Sequence, residues 1–319
     1  MRTAESTQPY PQAVSSTRIA VPLRDVLVAR LADYLELTRP RIALLSLLTV
    51  AVGYVLAVQG NWQFGPLWHT LFGVAWVAAG SSALNQVIER HSDARMPRTA
   101  NRPLPAGRLS SWEVSLFGIV AGISGCAYLL AYVNPTTAAL ALITMFLYLG
   151  VYTPLKRRSA FCTFLGAIPG ALPPVLGWTA AGGGLDGGAA ALFLILFLWQ
   201  FPHFLAIAWL YRHEYAQAGL RMLPGGSAAR TVTGLLAVGY ALLLIPASLL
   251  PSRLSLGEVQ AGDPYTVIAL VLGIGYAAAA FRFLIRRSSQ TARGLILTSL
   301  VYLPVLLIVL TWDHFRLLQ

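Results

Sequence analysis

Apolar stretches of about 20 residues recur along this chain from about residue 40 to its end, each long enough to cross the ~30 Å hydrocarbon core of a bilayer as a helix. Hydrophobic residues make up 56% of the chain and charged residues only 11%, too few to cover a soluble globule of this size. Backbone groups inside a bilayer have no water to bond, so helices must satisfy them internally. The pattern predicts an all-α, polytopic membrane protein.

Charged and turn-forming residues divide these stretches into about nine predicted transmembrane helices. The predicted spans lie at about 42–60, 66–89, 112–133, 136–155, 161–181, 187–211, 229–250, 265–285 and 292–312. Four connections carry nearly all the arginines, namely 90–111, 156–160, 212–228 and 286–291.

The basic residues also predict an orientation. Of the 23 lysines and arginines, all except Arg253 and Arg316 lie on the N-terminal side of the first span or at the four basic connections. Because basic loops stay on the cytosolic side, we expect a cytosolic N-terminus and an outside C-terminus. The net charge of +11 then reflects topology, and nucleic-acid binding is not indicated.

Residues 1–38 are predicted to form a flexible cytosolic tail with an amphipathic end near 26–37, and residues 39–319 a single transmembrane domain. The tail lacks the apolar core of a secretory signal and contains acidic residues, which favours a bacterial inner membrane over a mitochondrial one. The two cysteines, Cys126 and Cys162, lie in apolar surroundings without metal or disulfide spacing and are expected to be buried free thiols.

Three oxygen-bearing side chains mark the end of the second span. Asn85, Glu89 and Asp93 are spaced four residues apart, which places them on one face of a helix. Carboxylates at a membrane helix end are costly and repel each other, and Mg²⁺ bridging them to a substrate phosphate would relieve both problems. The alternative is an interfacial helix end whose charges lie among lipid headgroups.

The loop that follows these acids is basic and stiffened by proline. Arg95, Arg98 and Arg102 carry guanidinium groups whose paired donors match phosphate oxygens. Acids followed by arginines in this order predict a metal site next to a diphosphate site.

A histidine lies inside the apolar sixth span. His203 follows Pro202, which frees a backbone carbonyl and often kinks a membrane helix. An imidazole at that depth is interpreted either as a contact to a bound molecule, as a proton relay, or as a partner of a neighbouring helix.

Further polar residues follow at the cytosolic end of the sixth span, where Glu214 lies between Tyr211 and Tyr215. Its carboxylate is interpreted either as a ligand of a second metal or stabiliser of a cation, or as an ion-pair partner of Arg212 or Arg221.

Two segments carry a resemblance to a known family: NQVIERHSDARMPRTANRPLPAGRLS at 85–110 and WQFPHFLAIAWLYRHEYAQAGLRMLP at 199–224. With YTPLKRR at 152–158 and GAIPGALPPVLGW at 166–178, they resemble the UbiA-type intramembrane prenyltransferases, and within these the branch that farnesylates haem. The resemblance runs from about residue 37 to 224 and more loosely beyond.

The resemblance implies helices around a central cavity, Mg²⁺ as cofactor, and transfer of a farnesyl group from farnesyl diphosphate to the 2-vinyl group of haem B, with water addition, giving haem O. Carried onto this sequence, it makes Asn85, Glu89 and Asp93 metal and diphosphate residues and Glu214 the remnant of a second acidic motif. It makes His203 a haem contact, and it implies five diphosphate anchors, Arg95, Arg98, Arg102, Lys156 and Arg157.

The sequence departs from the family pattern at three positions. Ala218 stands where the second acidic motif usually has another carboxylate, Cys162 where the haem branch often has Asn, and Glu89 where the first motif often has Asp. The first departure argues against a symmetric two-metal site.

These residues suggest a reaction led by ionisation, in which diphosphate departs and an allylic cation forms in a dry cavity. Aromatic side chains could stabilise that cation through their π faces or could belong to an interfacial belt; they are Tyr148, Tyr152, Tyr211 and Tyr215. Implied partners are the lipid bilayer and a haem O oxygenase (haem A synthase) or terminal oxidase assembly.

Three rival functions remain open at this point. One is a UbiA-type enzyme with an aromatic or quinone-precursor acceptor. The second is an ion-coupled transporter, which would place acids near mid-membrane, whereas Glu89, Asp93 and Glu214 all fall at predicted helix ends. The third is a non-catalytic oxidase assembly protein that binds haem.

Overall fold

The computed structural model describes residues 22–58, 63–225, 229–253, 259 and 261–319. Within these ranges the chain forms helices and no strands. The α-helices are α1 Leu23–Leu37, α2 Pro40–Ala57, α3 Phe64–Asp93, α4 Ser111–Tyr132, α5 Pro135–Phe146, α6 Thr153–Leu155, α7 Cys162–Ala171, α8 Pro173–Ala180, α9 Gly187–Leu210, α10 Arg212–Gln217, α11 Ala229–Arg253, α12 Asp263–Arg286 and α13 Ser289–Leu318. A π-helix, Leu147–Tyr152, joins α5 to α6.

Eight helices in the described ranges are long and apolar enough to cross a membrane, which confirms the prediction of an all-α membrane protein. The predicted fifth span, 161–181, is instead two short helices, α7 and α8, that meet at Leu172. Proline explains the break, because Pro169 and Pro173 each lack an amide donor and Pro173 begins the second helix.

Side-chain caps define several helix starts. The side chains of Ser110, Asn134 and Asp186 accept hydrogen bonds from backbone amides in the first turns of α4, α5 and α9. Ser288 forms a capping box with Thr291 at the start of α13. These residue types satisfy amide groups that have no partner within the helix, so the sequence fixes these boundaries locally.

Glycines bring α2 and α8 into backbone contact. A Cβ atom added to Gly177 would lie 1.8 Å from the carbonyl oxygen of Val50, and one added to Gly53 would lie 1.9 Å from that of Pro174. Small residues allow such close approach between membrane helices, where van der Waals packing is a main source of association. The contact fixes α8 against α2, and Trp178, the next residue of α8, is fully buried.

The predicted N-terminal tail lies partly outside the described residues and partly within α1. The part of the predicted tail at 1–21 lies outside the described residues. The amphipathic end predicted near 26–37 falls within α1, which is tied to the loop before α4 because Arg108 forms ion pairs with Asp33 and Glu36. The carbonyl of Leu37 also accepts hydrogen bonds from Ser82 and Gln86 of α3.

Three of the basic connections meet at one end of the helix bundle. Arg98, in the loop after α3, donates to the hydroxyl of Tyr215 in α10 at 2.6 Å. The backbone amide of Arg221 donates to the carbonyl of Lys156 at 2.7 Å, which joins the loops after α6 and α10. The polar residues of the predicted site therefore lie at this end. As expected, Cys162 is buried and Cys126 half-buried, and both are free thiols.

The contact between α2 and α8 predicts the effect of two glycine substitutions. Gly177→Ala forces a methyl group onto the Val50 carbonyl, and overpacking of this kind costs about 1–3 kcal/mol, so we expect a lower Tm in detergent. Gly239→Ala in α11 is the matched control, because its added Cβ meets nothing within 4 Å. An unchanged Tm in Gly177→Ala contradicts the close approach of the two helices.

Candidate active site

A central cavity of about 400 Å³ opens among α2, α3, α5, the π-helix, α7, α8 and α9. One end is lined by Arg39, Tyr152 and Lys156, whereas Val74, Val77 and Leu176 line it deeper in the bundle. The cavity thus joins a cationic end to an apolar interior. This shape suits a molecule with a charged head and a long apolar tail.

The π-helix Leu147–Tyr152 shapes one wall of this cavity. It carries Tyr148 and Tyr152, whose rings lie 5.8 Å apart and stack, and both line the cavity. Gly166 of α7 packs directly on Tyr152, since an added Cβ would lie 2.4 Å from its ring. Single π-turns inside α-helices occur frequently at functional sites.

At the C-terminal end of α3, Glu89 lies in a buried ion pair. The ammonium of Lys156 is 2.7 Å from Glu89 Oε1 and 4.2 Å from the centre of the Tyr152 ring. Burial by itself lowers the pKa of Lys156, but the nearby Tyr152 and Glu89 oxygens outweigh it and raise that pKa, so the ammonium remains charged. Lys156 therefore presents a fixed positive charge to the cavity.

Asn85 orients this ion pair. It is fully buried, its Nδ2 donates to Glu89 Oε2 at 2.8 Å, and its Oδ1 accepts from the hydroxyl of Thr153 at 2.8 Å. Both ends of the amide are thus occupied by protein groups. In this arrangement Asn85 is a positioning residue for Glu89, and Thr153 is a further polar contributor that the sequence analysis missed.

Asp93, one turn further along α3, pairs with a different cation. Its Oδ2 lies 2.6 Å from Arg102, and the carboxylate is 1% exposed. Burial and the neighbouring Arg39 lower the pKa of Arg102, while Asp93 opposes this shift. The two acids and their cations form one charged cluster behind the cavity wall, and of the cluster Lys156 and Arg39 line the cavity itself.

Arg39, which the sequence analysis treated only as a topology signal, lines the central cavity. It precedes Pro40 as the N-cap of α2 and adopts a left-handed conformation with φ 49° and ψ 61°. Its Nε and one terminal nitrogen are buried and have no hydrogen-bond partner among the described residues. A strained backbone that holds an unpaired guanidinium at a cavity wall is typical of a binding site. The available signal in the sequence was an arginine directly before Pro40, the first residue of α2.

A second cluster forms around Arg98. Its guanidinium lies over the rings of Tyr211 and Tyr215, at 4.6 Å and 4.9 Å, and 4.0 Å from Glu214. Glu214 therefore pairs with Arg98 and not with Arg212 or Arg221, and its Oε2 is buried without a hydrogen bond in the described part of the chain. Arg98 already faces two of the four tyrosine rings that were predicted to face an allylic cation, those of Tyr211 and Tyr215.

Three predicted site residues lie apart from these clusters. His203 Nδ1 is 2.6 Å from the hydroxyl of Ser299 in α13, and its ring stacks on Trp199, so it pairs with a neighbouring helix and is not among the residues lining the central cavity. Arg95 is exposed, and Arg157 donates to the Ile88 carbonyl at 3.2 Å. Neither arginine forms an ion pair with a described acid.

The donor chemistry decides which residues suit a metal ion. Among the described residues, no group of three His, Cys, Asp or Glu side chains is arranged to hold one. Glu89 and Asp93 nevertheless supply two buried carboxylates one turn apart, and Mg²⁺ commonly uses one or two carboxylates with substrate phosphates and water. Of the three predicted ligands, the two carboxylates carry the charge that suits Mg²⁺, whereas Asn85 is neutral and bridges Thr153 and Glu89.

Comparison with known proteins places the chain in a family. The sequence model of the UbiA prenyltransferase family matches residues 46–312. The chain belongs to the UbiA prenyltransferase family. It is therefore a membrane prenyltransferase, and an ion-coupled transporter is not supported.

Two similar relatives of this UbiA member carry the same name. A protein of Solibacter usitatus named protoheme IX farnesyltransferase is 43% identical over 86% of this chain and 96% of its own length. One of Koribacter versatilis with the same name is 44% identical over 93% of this chain and 97% of its own length.

Solved structures share the fold of this UbiA member. A structure of digeranylgeranylglyceryl phosphate synthase matches with a TM-score of 0.75 at 18% identity, covering 90% of this chain and 99% of that one. A UbiA homologue of Archaeoglobus fulgidus bound to GPP and Mg²⁺ matches with a TM-score of 0.61 at 19% identity, over 88% and 99% of the two chains.

The ion pair between Glu89 and Lys156 predicts an energetic coupling. Lys156→Met leaves a buried carboxylate without its cation, and adding Glu89→Gln removes that charge, so the double variant should recover stability. We expect a coupling of about 1–3 kcal/mol from denaturant unfolding in mixed micelles. The more exposed pair Arg30 and Glu113 is the control, with an expected coupling below about 1 kcal/mol. Equal couplings for both pairs contradict this account.

Proposed function

We propose that this UbiA-family chain transfers the farnesyl group of farnesyl diphosphate to the 2-vinyl group of haem B, with water addition, giving haem O and diphosphate. The observation that carries the proposal is the central cavity, which joins the cations Arg39 and Lys156 to an apolar interior. The choice of haem as acceptor is supported by the relatives above 40% identity that are named protoheme IX farnesyltransferase. A quinone-precursor acceptor is the alternative within the family.

Charge supports a diphosphate at the cationic end. Arg39, Lys156 and Arg102 surround Glu89 and Asp93, so the described cluster has one positive charge in excess. A magnesium complex of a prenyl diphosphate carries about one negative charge, which would balance the cluster. Two buried nitrogens of the Arg39 guanidinium have no hydrogen-bond partner among the described residues, and Arg39 is the first anchor we assign.

Magnesium fits the carboxylates of this site. Glu89 and Asp93 would hold it, and we propose a single ion because Ala218 stands where a further acid would serve a second. When bound, Mg²⁺ neutralises charge that develops on the departing diphosphate. The structure of the Archaeoglobus fulgidus homologue with GPP and Mg²⁺ supports the same chemistry for that protein.

The protein's own residues then have distinct tasks. As the bond from farnesyl C1 to oxygen breaks, Lys156 and Arg39 stabilise the negative charge that grows on the diphosphate. The apolar walls exclude water from the allylic cation, and Tyr148, which lines the cavity, offers its π face. Asn85 and Thr153 keep Glu89 oriented throughout.

Transfer ends with carbon–carbon bond formation at the acceptor. The electron pair of the 2-vinyl group attacks farnesyl C1, which leaves a cation next to the macrocycle. Water adds to that carbon and loses a proton to the solvent, so the product carries a hydroxyl group and diphosphate is released. No protein nucleophile is required.

The remaining predicted residues receive outer roles in this proposal. Arg98 and Glu214, with Tyr211 and Tyr215, form a polar cap over the cationic end, and Arg95 and Arg157 add positive charge around the entrance. His203 contributes by fixing α9 to α13, and contact with haem would need it to leave Ser299.

We further propose a bacterial inner-membrane location, a cytosolic N-terminus and an outside C-terminus. The meeting of three basic loops at one end of the bundle supports this orientation. A haem A synthase or a terminal oxidase assembly is the proposed recipient of the product, because each consumes a farnesylated haem.

A direct assay tests the acceptor and the water step. Purified protein is supplied with haem B, farnesyl diphosphate and Mg²⁺, and the products are analysed by mass spectrometry. We expect farnesylated haem whose hydroxyl gains the label when the water contains heavy oxygen. With 4-hydroxybenzoate in place of haem B we expect no prenylated product. Product from 4-hydroxybenzoate alone would overturn the proposal in favour of the quinone-precursor alternative.

A pair of arginine variants tests the diphosphate assignment. Arg39→Gln should lower kcat/KM for farnesyl diphosphate by about 10-fold to 100-fold, because a charge-assisted contact is lost. The decrease can come from a higher KM or from a lower kcat. Arg41→Gln is the matched control, since Arg41 is exposed and lies two residues away. Equal values for the two variants contradict the role of Arg39.

Asp93→Asn should abolish the dependence of the rate on Mg²⁺ concentration.

A further inference from the structure

A second cavity opens beside the central one, on the side where the basic loops meet. It has a volume of about 580 Å³, and its wall includes Arg158, Arg212 and Arg221. The other lining residues are uncharged, so no carboxylate of the described residues lines this cavity. We call it the arginine cavity. None of these three arginines belongs to the clusters around Glu89, Asp93 and Glu214.

The three guanidinium groups are available to an anion. Among the described residues, none of them lies within ion-pair distance of a carboxylate. Arg212 is held in place, because it donates to the Trp209 carbonyl at 2.8 Å and stacks on the Trp209 ring at 4.8 Å. Arg221 donates weakly to the Arg158 carbonyl at 3.4 Å. Three cations grouped without acids repel one another, and an anionic ligand would relieve this repulsion.

The arginine cavity adjoins the central cavity through one side chain. Met222 lines both cavities, and its sulfur lies 3.9 Å from Cys162 Sγ. A thioether is flexible and polarizable, and can repack around a large flat ligand. A molecule could therefore extend from one cavity to the other past Met222.

We infer that the arginine cavity binds the two propionate groups of the haem acceptor. The inference rests on the proposed function. The 2-vinyl group and the propionates lie on opposite edges of the macrocycle. A haem whose vinyl group reaches the farnesyl C1 in the central cavity therefore directs its carboxylates away from that cavity. Arginine forks match carboxylates with paired hydrogen bonds, and three of them exceed the charge of two propionates.

Haem binding and transfer are measured together to test this site. The full chain is reconstituted in nanodiscs, the Kd for haem B is taken from the Soret band, and the KM values for haem B and farnesyl diphosphate are taken from the transfer assay. Arg212→Gln and Arg221→Gln should each raise the Kd and KM for haem B about 10-fold or more, with the KM for farnesyl diphosphate unchanged.

Three further variants separate haem recognition from folding. Arg158→Gln removes an exposed side chain that donates no hydrogen bond within the described part of the chain, so its fold should persist while haem affinity falls. Arg286→Gln, at the end of α12 and outside the cavity, is the matched control and should retain wild-type values. Arg212→Lys keeps the charge but loses the fork, and should lie between wild type and Arg212→Gln.

Haem dimethyl ester identifies the group that is bound. In wild type the ester should bind about 10-fold or more weakly than haem B, and the arginine variants should no longer distinguish the two. Unchanged haem affinity in all three Gln variants overturns the inference. The inference is also overturned if the arginine variants still bind haem dimethyl ester more weakly than haem B. A cavity that holds lipid phosphate would instead make the variants respond to phosphatidylglycerol content without changing haem affinity, which also overturns it.

The same experiment keeps the two proposals apart. If wild type yields no farnesylated haem, the proposed function fails, whereas the Soret titration still reports whether the arginines bind the propionates. If product forms and the variants bind haem normally, only the propionate site fails.

Discussion

The active end of this protein depends on the neutralisation of two carboxylates buried at the end of a membrane helix. Glu89 and Asp93 lie one turn apart on α3, where like charges repel and burial removes water. Lys156 and Arg102 stabilise them from two different loops. Arg102 lies nine residues after Asp93 and Lys156 lies 67 residues after Glu89, so the acids hold the loop after α3 and the loop after α6 in place. Lys156, together with Arg39, also gives the central cavity its cationic end.

Membrane packing supplies the rigid frame for this cluster. The bilayer provides little hydrophobic drive between helices, so close contact must come from small residues such as Gly53 and Gly177, which bring α2 against α8. The contact lies in the second half of α2, around Val50 and Gly53, and holds the helix at whose start Arg39 adopts its left-handed conformation. A strained backbone conformation persists when the surrounding structure determines it fully. Here α1 and α2, on either side of Arg39, are both held in place.

Much of the fold could be predicted from the sequence, because apolar length and basic loops are local signals. Eight of the nine predicted spans correspond to long apolar helices of the described chain, and the acids at the end of α3 were also predicted this way. The break between α7 and α8 was not, although Pro169 and Pro173 were visible, since apolar composition alone cannot separate one span from two short helices. The pairing of Glu89 with Lys156 joins residues far apart in sequence, and helical spacing carries no such information. Family resemblance, and not periodicity, brought Lys156 to attention.

The π-helix between α5 and α6 has a consequence for the angular register of its span. Each residue of an α-helix advances the side-chain direction by about 100°, so a wider turn offsets everything that follows relative to the preceding segment. The apolar face of Pro135–Phe146 and the polar face that ends in Lys156 are therefore not one continuous stripe. The residues before the π-helix can pack against neighbouring helices through one face. Lys156, which follows the π-helix, faces a different direction and contacts Glu89. A single membrane helix thereby serves packing and charge recognition in two different directions.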